Sequence, residues 1–202
     1  MNTRYRLLLI PGSLRRNSTN CAVLRTAQTV ARAGVATTYY DGLASLPAFN
    51  PDDDNSPLPP GVAELRSAIW AADALVFCTP EYAGALPGSF KNLLDWTVGD
   101  AQAGSIHEKP VAWINASPRG AAQAHESLRT VLGYVKADIV EQACAHVPVS
   151  SADIGPDGLI WRDELRRQIA DALVQLTEHV ARPLYAGPGF EPVGRYEEWI
   201  SK

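Results

Sequence analysis

Short apolar segments recur along this chain and are separated by stretches with a helical repeat. Four segments are continuously apolar and lack a period of two, which is typical of strands buried on both faces of a sheet. These predicted strands are Arg4–Ile10, Ala74–Cys78, Val111–Asn115 and the less regular Ile139–Val147. A more polar fifth segment, Val35–Tyr40, suits a position at or near an edge of the sheet.

Helical patterns fill the intervals between the predicted strands. The predicted helices are Thr19–Ala33, Gly61–Ala71, Ser89–Thr97, Ala121–Leu132 and Arg162–Val180. Strands that alternate with helices indicate an α/β fold with a parallel sheet covered on both faces. Five strands fit a flavodoxin-like three-layer sandwich with strand order 2-1-3-4-5, in which ligands bind at the carboxyl ends of the strands.

We predict one flavodoxin-like domain over residues 1–182 and a C-terminal tail over residues 183–202. The tail is broken by prolines, so it either docks on a partner subunit or lies on its own surface. A Pro- and Asp-rich loop, Asp41–Gly61, is longer than most connections and is therefore either functional or mobile.

Composition excludes several classes of protein. Of the 202 residues 46% are hydrophobic and 20% are charged, which suits one well-buried core. The net charge of −4 disfavours a general nucleic-acid binder, and no apolar run approaches the roughly 20 residues that span a bilayer. Three widely spaced cysteines are typical of free thiols, and a strand begins almost at the N-terminus. We therefore expect a cytoplasmic protein without a signal peptide.

A polar loop, "GSLRRNSTN", follows the first predicted strand and opens the first predicted helix. The unpaired N–H groups of a helix's first turn favour an anion such as phosphate. Ser18 is a candidate N-cap, and Arg15 and Arg16 supply positive charge. The loop has neither the P-loop nor the GxGxxG spelling. It could bind a phosphate, or it could only cap the helix and leave its arginines in solvent.

A second loop follows the third predicted strand, in the stretch "CTPEYAGALPGSFKNLLDW". Together, "GSLRRNSTN" and "PEYAGALPGSFKNLLDW" at these two strand ends resemble the NADPH-dependent FMN reductase family. That family is a flavodoxin-like group of flavin, quinone, azo-dye and chromate reductases. The resemblance extends over the chain to about Val180.

The resemblance implies a set of residues that bind FMN. It assigns the phosphate to the first loop, at Ser13, Arg15, Ser18, Thr19 and Asn20. It places the isoalloxazine ring at Pro80, Glu81, Tyr82 and Ala83, largely through backbone groups, and beside the loop residues Ser117, Arg119 and Gly120. The family often has Asn where this chain has Ala83, so a side-chain amide contact is absent there.

The resemblance further implies an FMN-dependent NAD(P)H oxidoreductase. Hydride would pass from NADPH or NADH through bound FMN to a small acceptor: a flavin, a quinone, an azo compound or a metal oxyanion. The flavin carries this chemistry, so no catalytic side chain is expected. Two alternatives are a flavodoxin-like electron carrier, which the arginines of the first loop disfavour, and a flavodoxin-fold module that binds no flavin.

Two further expectations concern assembly and metals. Phe90, Leu93, Leu94 and Trp96 cover more than one face of the helix that starts near Ser89. This surplus of apolar surface suggests a homodimer or homotetramer through that helix; the alternative is a helix packed within its own domain. The four histidines show neither metal-ligand spacing nor a matched carboxylate, so no metal site is expected.

Overall fold

A computed structural model describes residues 3–15, 17–100 and 102–182 of the chain. The predicted tail of residues 183–202 lies outside the described residues. Among the helices that the structure describes, none combines the length and the apolar character needed to cross a membrane.

Six strands form one parallel arrangement: β1 Tyr5–Pro11, β2 Val35–Tyr39, β3 Ala74–Cys78, β4 Pro110–Asn115, β5 Asp138–Ile139 and β6 Ala145–His146. Their order is β2-β1-β3-β4-β5, and β6 also pairs with β4. The predicted order and the flavodoxin-like α/β class are confirmed. The single strand expected over Ile139–Val147 is wrong, because a 3-10 turn at Glu141–Ala143 divides this region into β5 and β6.

Five α-helices connect the strands: α1 Thr19–Val30, α2 Pro60–Trp70, α3 Gly88–Val98, α4 Ala122–Tyr134 and α5 Asp163–Ala181. Helix α1 ends three residues before the predicted Ala33, because Ala31 already has an extended backbone. The other helix boundaries lie within two residues of the prediction. Element type was therefore well predicted.

Alternate side chains of the central strands enter two separate cores, as expected for a sheet covered on both faces. Leu7, Leu9 and Val76 pack with α1 and α5 on one face. Leu8 and Phe77 pack with α2, α3 and α4 on the other. The absence of a period-two pattern in the strands thus has a direct cause: both sets of positions are buried.

Helix α3 is packed within its own chain. Phe90, Leu93 and Trp96 have 0% of their surface exposed, and Leu94 has 1%. The expected surplus of apolar surface on this helix is wrong. The ring of Phe49 covers the additional face by an edge-on contact with Trp96, with the ring centres 5.0 Å apart.

The loop of residues 41–61 is attached to α2 and α3. The side chain of Asn92 accepts a hydrogen bond from Phe49 N and donates one to the carbonyl of Pro47. In the second half of the loop, Asp54 forms a buried ion pair of 2.7 Å with Arg66 of α2. The loop thus serves as a cover for α3, which neither of the two sequence interpretations had anticipated.

Candidate functional site

A cavity of about 310 Å³ opens at the carboxyl ends of β1, β3 and β4. Three loops form most of its wall: residues 13–20 after β1, residues 80–82 after β3 and residues 117–121 after β4. Their convergence follows from the parallel sheet, which brings the carboxyl ends of neighbouring strands to one edge.

The first loop is organised by its helix cap. Ser18 has extended backbone angles, and its hydroxyl accepts a hydrogen bond of 3.2 Å from Asn20 N at the start of α1. The hydroxyl of Ser13 accepts one from Arg15 N. Ser13, Ser18 and Asn20 are buried, whereas Arg15 is exposed. The capping expected of Ser18 is confirmed, and the start of α1 faces the cavity with its remaining N–H groups.

Asn20 connects the first loop to β3. Its side-chain oxygen accepts a hydrogen bond of 3.3 Å from the thiol of Cys78, and its amide lies 3.4 Å from the hydroxyl of Ser18. Burial raises the pKa of Cys78, so the thiol stays protonated and remains a donor. Cys78 is thus a free, buried thiol with a structural role beneath the cavity, and the expectation of a free thiol holds for it.

Gly12 allows the first two loops to approach closely. Its N–H donates to the carbonyl of Cys78, at 2.8 Å. A Cβ atom on Gly12 would lie 2.3 Å from Thr79 Oγ1 and 2.9 Å from Thr79 Cα. Only glycine fits where the two backbones pass at this distance.

The second loop ends in a tight turn. Tyr82 and Ala85 exchange two backbone hydrogen bonds of 3.0 Å, and the residues between them have positive φ: 51° at Ala83 and 72° at Gly84. Both angles match a type I′ turn, for which Asn-Gly is the favoured pair. The family often has asparagine at the position of Ala83. That asparagine would favour this turn of the backbone, in addition to any contact with a ligand.

Glu81 reaches from the second loop to the third. Its carboxylate accepts a hydrogen bond of 3.0 Å from Ala124 N in the first turn of α4. The residue in the cap position, Ala121, has a left-handed backbone with φ 45° and provides no side-chain cap. Glu81 is therefore half-buried and caps α4, rather than lying free in solvent.

Asn115, at the end of β4, shapes the third loop. Its amide donates to the carbonyl of Gly120, and its side-chain oxygen accepts from Ser117 N at 3.0 Å. The hydroxyl of Ser117 in turn accepts from Arg119 N. No motif in the sequence predicts this role of Asn115, although an asparagine at the end of a strand, before a turn, is a signal that can be read.

Ten of the twelve predicted cofactor-binding residues line the cavity: Ser13, Arg15, Ser18, Thr19, Asn20, Pro80, Glu81, Tyr82, Ser117 and Arg119. Ala83 and Gly120 do not line it and serve in the turns behind it. Asn17, Pro118, Ala121, Ser151 and Ile154 line it without having been predicted. Arg16 lies outside the described residues.

His125 lies behind the third loop, with 8% of its surface exposed. Its Nδ1 is 2.8 Å from the carbonyl of Ala121 and must carry the proton, because a carbonyl only accepts. Burial lowers the pKa of His125, against the opposing effects of that carbonyl and of Glu81. The neutral ring thus supports the turn at Ala121.

Three observations concern other regions. A larger cavity of about 740 Å³ is lined by residues from two stretches, one between residues 97 and 108 and the other at residues 134–136. It opens near the amino end of β4 and is separate from the three loops. His179 pairs with Asp138 at 2.6 Å, so the expectation that no histidine has a matched carboxylate is wrong. In the part of the chain that the structure describes, no three His, Cys, Asp or Glu residues are grouped to hold a metal ion.

The features of the cavity fit FMN. The helix start and the hydroxyls of the first loop suit its phosphate. The ring of Tyr82, 53% exposed at the mouth, offers aromatic surface to a flat ring system. Backbone groups of the second loop can meet the polar edge of that ring.

Known proteins support this assignment. Residues 5–150 match the sequence model of the family described as NADPH-dependent FMN reductase. An NAD(P)H-dependent FMN reductase of Pseudomonas aeruginosa is 33% identical over 186 residues, which cover 90% of this chain and 98% of the relative. A quinone reductase of Escherichia coli K12 is 29% identical over 145 residues, 70% of this chain and 77% of the relative.

A solved structure shows the same architecture. FerB, a flavoenzyme NAD(P)H:(acceptor) oxidoreductase of Paracoccus denitrificans, aligns with a TM-score of 0.73 and 25% identity, covering 87% of this chain and 98% of FerB. Fold and site together define a flavodoxin-like flavoprotein. The chain belongs to the NADPH-dependent FMN reductase family. The predicted family, enzyme class and cofactors, FMN and NAD(P)H, are confirmed.

Proposed function

We propose that FMN binds in the three-loop cavity, with its phosphate at the start of α1 and its ring between the second and third loops. The observation that carries this proposal is the convergence of a capped helix start with two further strand-end loops on one cavity. We assign to this site the twelve cofactor-binding residues predicted from the sequence. Ala83 and Gly120 act through the geometry of the turns in which they lie. Residues 1–182 form the FMN-binding domain in this proposal.

Bound FMN would supply the chemistry of hydride transfer from NAD(P)H and of two-electron reduction of a second substrate. The chain's part is to bind and orient. Ser18 fixes the helix start, Glu81 fixes the distance between the second and third loops, and Tyr82 keeps an aromatic wall at the open side. The mouth stays accessible, which two successive substrates require.

A quinone is the acceptor that this mouth suits best. The ring of Tyr82 lines the cavity, is more than half exposed, and offers apolar contact to a flat ring. The curated relatives include enzymes named quinone reductase, which supports the same class. A panel of quinones, azo compounds and chromate, assayed at equal concentration, tests this choice; the highest kcat/KM is expected with a quinone.

Among the residues that the structure describes, Arg15 of the first loop and Arg119 of the third supply the positive charge that lines the cavity. Either can serve the phosphate of FMN or the phosphates of the nicotinamide cofactor. Arg15→Ala separates the two roles. A weaker FMN affinity assigns Arg15 to the flavin, whereas a raised KM for NADPH with unchanged FMN affinity assigns it to the nicotinamide cofactor.

Calorimetric titration of flavin-free protein with FMN and with riboflavin tests the site itself. One FMN per chain is expected, with riboflavin bound at least tenfold more weakly because it lacks the phosphate. Ser18→Ala should reduce the affinity for FMN more than that for riboflavin. Equal affinity for the two flavins would contradict the assignment of the phosphate to α1.

The assembly proposed is a homodimer or homotetramer. The apolar residues of α3 give no support to it, because they are buried in their own chain. Light scattering coupled to size exclusion, on FMN-loaded protein, tests it; a mass near 21.8 kDa would contradict it. We also propose a cytoplasmic location, supported by three free thiols, and cell fractionation tests this.

A further inference from the structure

A fourth segment, residues 150–162, completes the wall of the cavity. Apart from Ser150, it lies beyond the match to the family, which ends at residue 150. Two of its residues, Ser151 and Ile154, line the cavity together with the first loop. This position is unexpected, because the segment follows β6, at the margin of the sheet, and carries neither of the two sequence motifs.

The segment is held by a buried carboxylate. Asp153 has 6% of its surface exposed. Its Oδ2 accepts hydrogen bonds from Ser150 N at 2.9 Å and from the Ser150 hydroxyl at 2.7 Å, and its Oδ1 accepts one from Arg162 at 3.1 Å. These hydrogen bonds connect both ends of the segment, Ser150 and Arg162, to the side chain of Asp153. Charge-assisted bonds of this kind are stronger than neutral ones.

Further hydrogen bonds fix the segment against the rest of the fold. Ile154 and Ile160 form an isolated antiparallel bridge, so the segment doubles back on itself. Ile160 N donates to the hydroxyl of Thr26 on α1, at 2.9 Å. Val149 N, just before the segment, donates to the carbonyl of Ala116 beyond β4. Ser151 and Ile154 are therefore presented by a constrained structure that contacts two of the elements around the cavity.

The backbone of Ser151 begins a 3-10 turn, but its side chain makes no hydrogen bond among the described residues. The residue is exposed. Ile154 is half-buried at the same wall. A free hydroxyl and an apolar side chain, held in place beside the helix start, suit a ligand with polar and apolar parts.

We propose that residues 150–162 are a flavin-binding element of this chain, in which Ser151 and Ile154 contact the bound FMN and Asp153 is the residue that positions them. This inference rests on the proposed binding of FMN in the three-loop cavity. It adds to the twelve predicted residues two contacts that lie outside the family-matched range.

The test is the dissociation constant of FMN, measured by quenching of flavin fluorescence, together with the melting temperature of the flavin-free protein. Ser151→Ala should weaken FMN binding about fivefold and Ile154→Ala about tenfold, with the Ser151→Ala melting temperature unchanged. Ser45→Ala is the matched control, because Ser45 is also exposed in a 3-10 turn but does not line the cavity. It should leave the dissociation constant unchanged.

Asp153→Asn tests positioning. It should weaken FMN binding about tenfold in the wild-type background but only about twofold in Ser151→Ala, since a residue that acts through another loses its effect when that other is removed. Equal losses in both backgrounds would show a merely structural role and overturn the assignment of Asp153. If wild-type protein binds FMN and the Ser151 and Ile154 variants bind it equally well, the inference fails alone. If wild-type protein binds no FMN, the proposed function fails with it.

Discussion

The carboxylate of Glu81 accepts a hydrogen bond of 3.0 Å from the backbone N–H of Ala124, across 43 residues of sequence. The second loop thereby caps the helix that follows the third loop. Ala121, in the cap position, has a methyl side chain and a left-handed backbone and provides no side-chain cap of its own. Two walls of the flavin cavity are thus joined by one side chain.

Glu81→Ala should lower the free energy of unfolding by about 1 kcal/mol, the usual cost of losing a helix cap. Glu81→Gln keeps an acceptor but loses the charge and should cost less. Urea unfolding of the flavin-free protein measures both. Glu126→Ala, an exposed glutamate on the same helix, is the control and should change stability by only a few tenths of a kcal/mol. A Glu81→Ala protein as stable as this control would contradict the capping role.

Gly12→Ala should disrupt the contact between the first and second loops. The added Cβ would lie 2.9 Å from Thr79 Cα, and a backbone atom has little freedom to move away. We expect a loss of about 2 kcal/mol in stability and a weaker affinity for FMN. Gly88→Ala is the control, because no atom lies within 4 Å of a Cβ built there. Thermal unfolding and FMN titration measure the stability and the FMN affinity of both variants. Equal stability and equal affinity for Gly12→Ala and Gly88→Ala would contradict the close contact between Gly12 and Thr79.

Ala83→Gly should stabilise the protein by about 0.5 to 1 kcal/mol. Ala83 has φ 51°, where a side chain is strained and glycine is not. Ala85→Gly, in the same exposed turn but not among the residues with positive φ, should destabilise the protein instead. The sign of the difference between the two variants in urea unfolding is the result to examine. A destabilised Ala83→Gly protein would show that the left-handed turn is not formed in solution.

His125 should make stability depend on pH. Burial lowers its pKa in the folded protein, so the unfolded chain binds a proton first as the pH falls below about 6.5. The free energy of unfolding should therefore fall between pH 6.5 and the lower pKa of the folded state. In His125→Asn, whose amide can still donate to the carbonyl of Ala121, this part of the decrease should vanish. Identical pH profiles for the two proteins would mean that the pKa of His125 is the same in the folded and the unfolded state.

The flavodoxin-like fold and the first two loops could be predicted from the sequence because their signals are local. Apolar runs identify the strands, and "GSLRRNSTN" and "PEYAGALPG" each lie directly after one of them. Ser18 caps α1 within two residues, a distance at which residue type is informative. Ten predicted residues consequently line one cavity.

What escaped prediction depends on contacts between distant parts of the chain. Ser151 reaches the cavity because Asp153 holds its segment, and the bond from Glu81 to Ala124 has no local sequence signature. The apolar face of α3 was misjudged for the same reason. Its extra face is covered by Phe49, 47 residues before Trp96, and the period of a helix does not reveal what covers it.

The central claim is that this chain holds FMN and passes hydride from a nicotinamide cofactor to it. Anaerobic stopped-flow mixing of FMN-loaded protein with NADPH, and separately with NADH, tests this claim most directly. We predict that the flavin absorbance bleaches in a single turnover with no protein partner present, and that a quinone added afterwards restores it. A flavin that stays oxidised with both nicotinamide cofactors would contradict the reductase and favour a one-electron carrier.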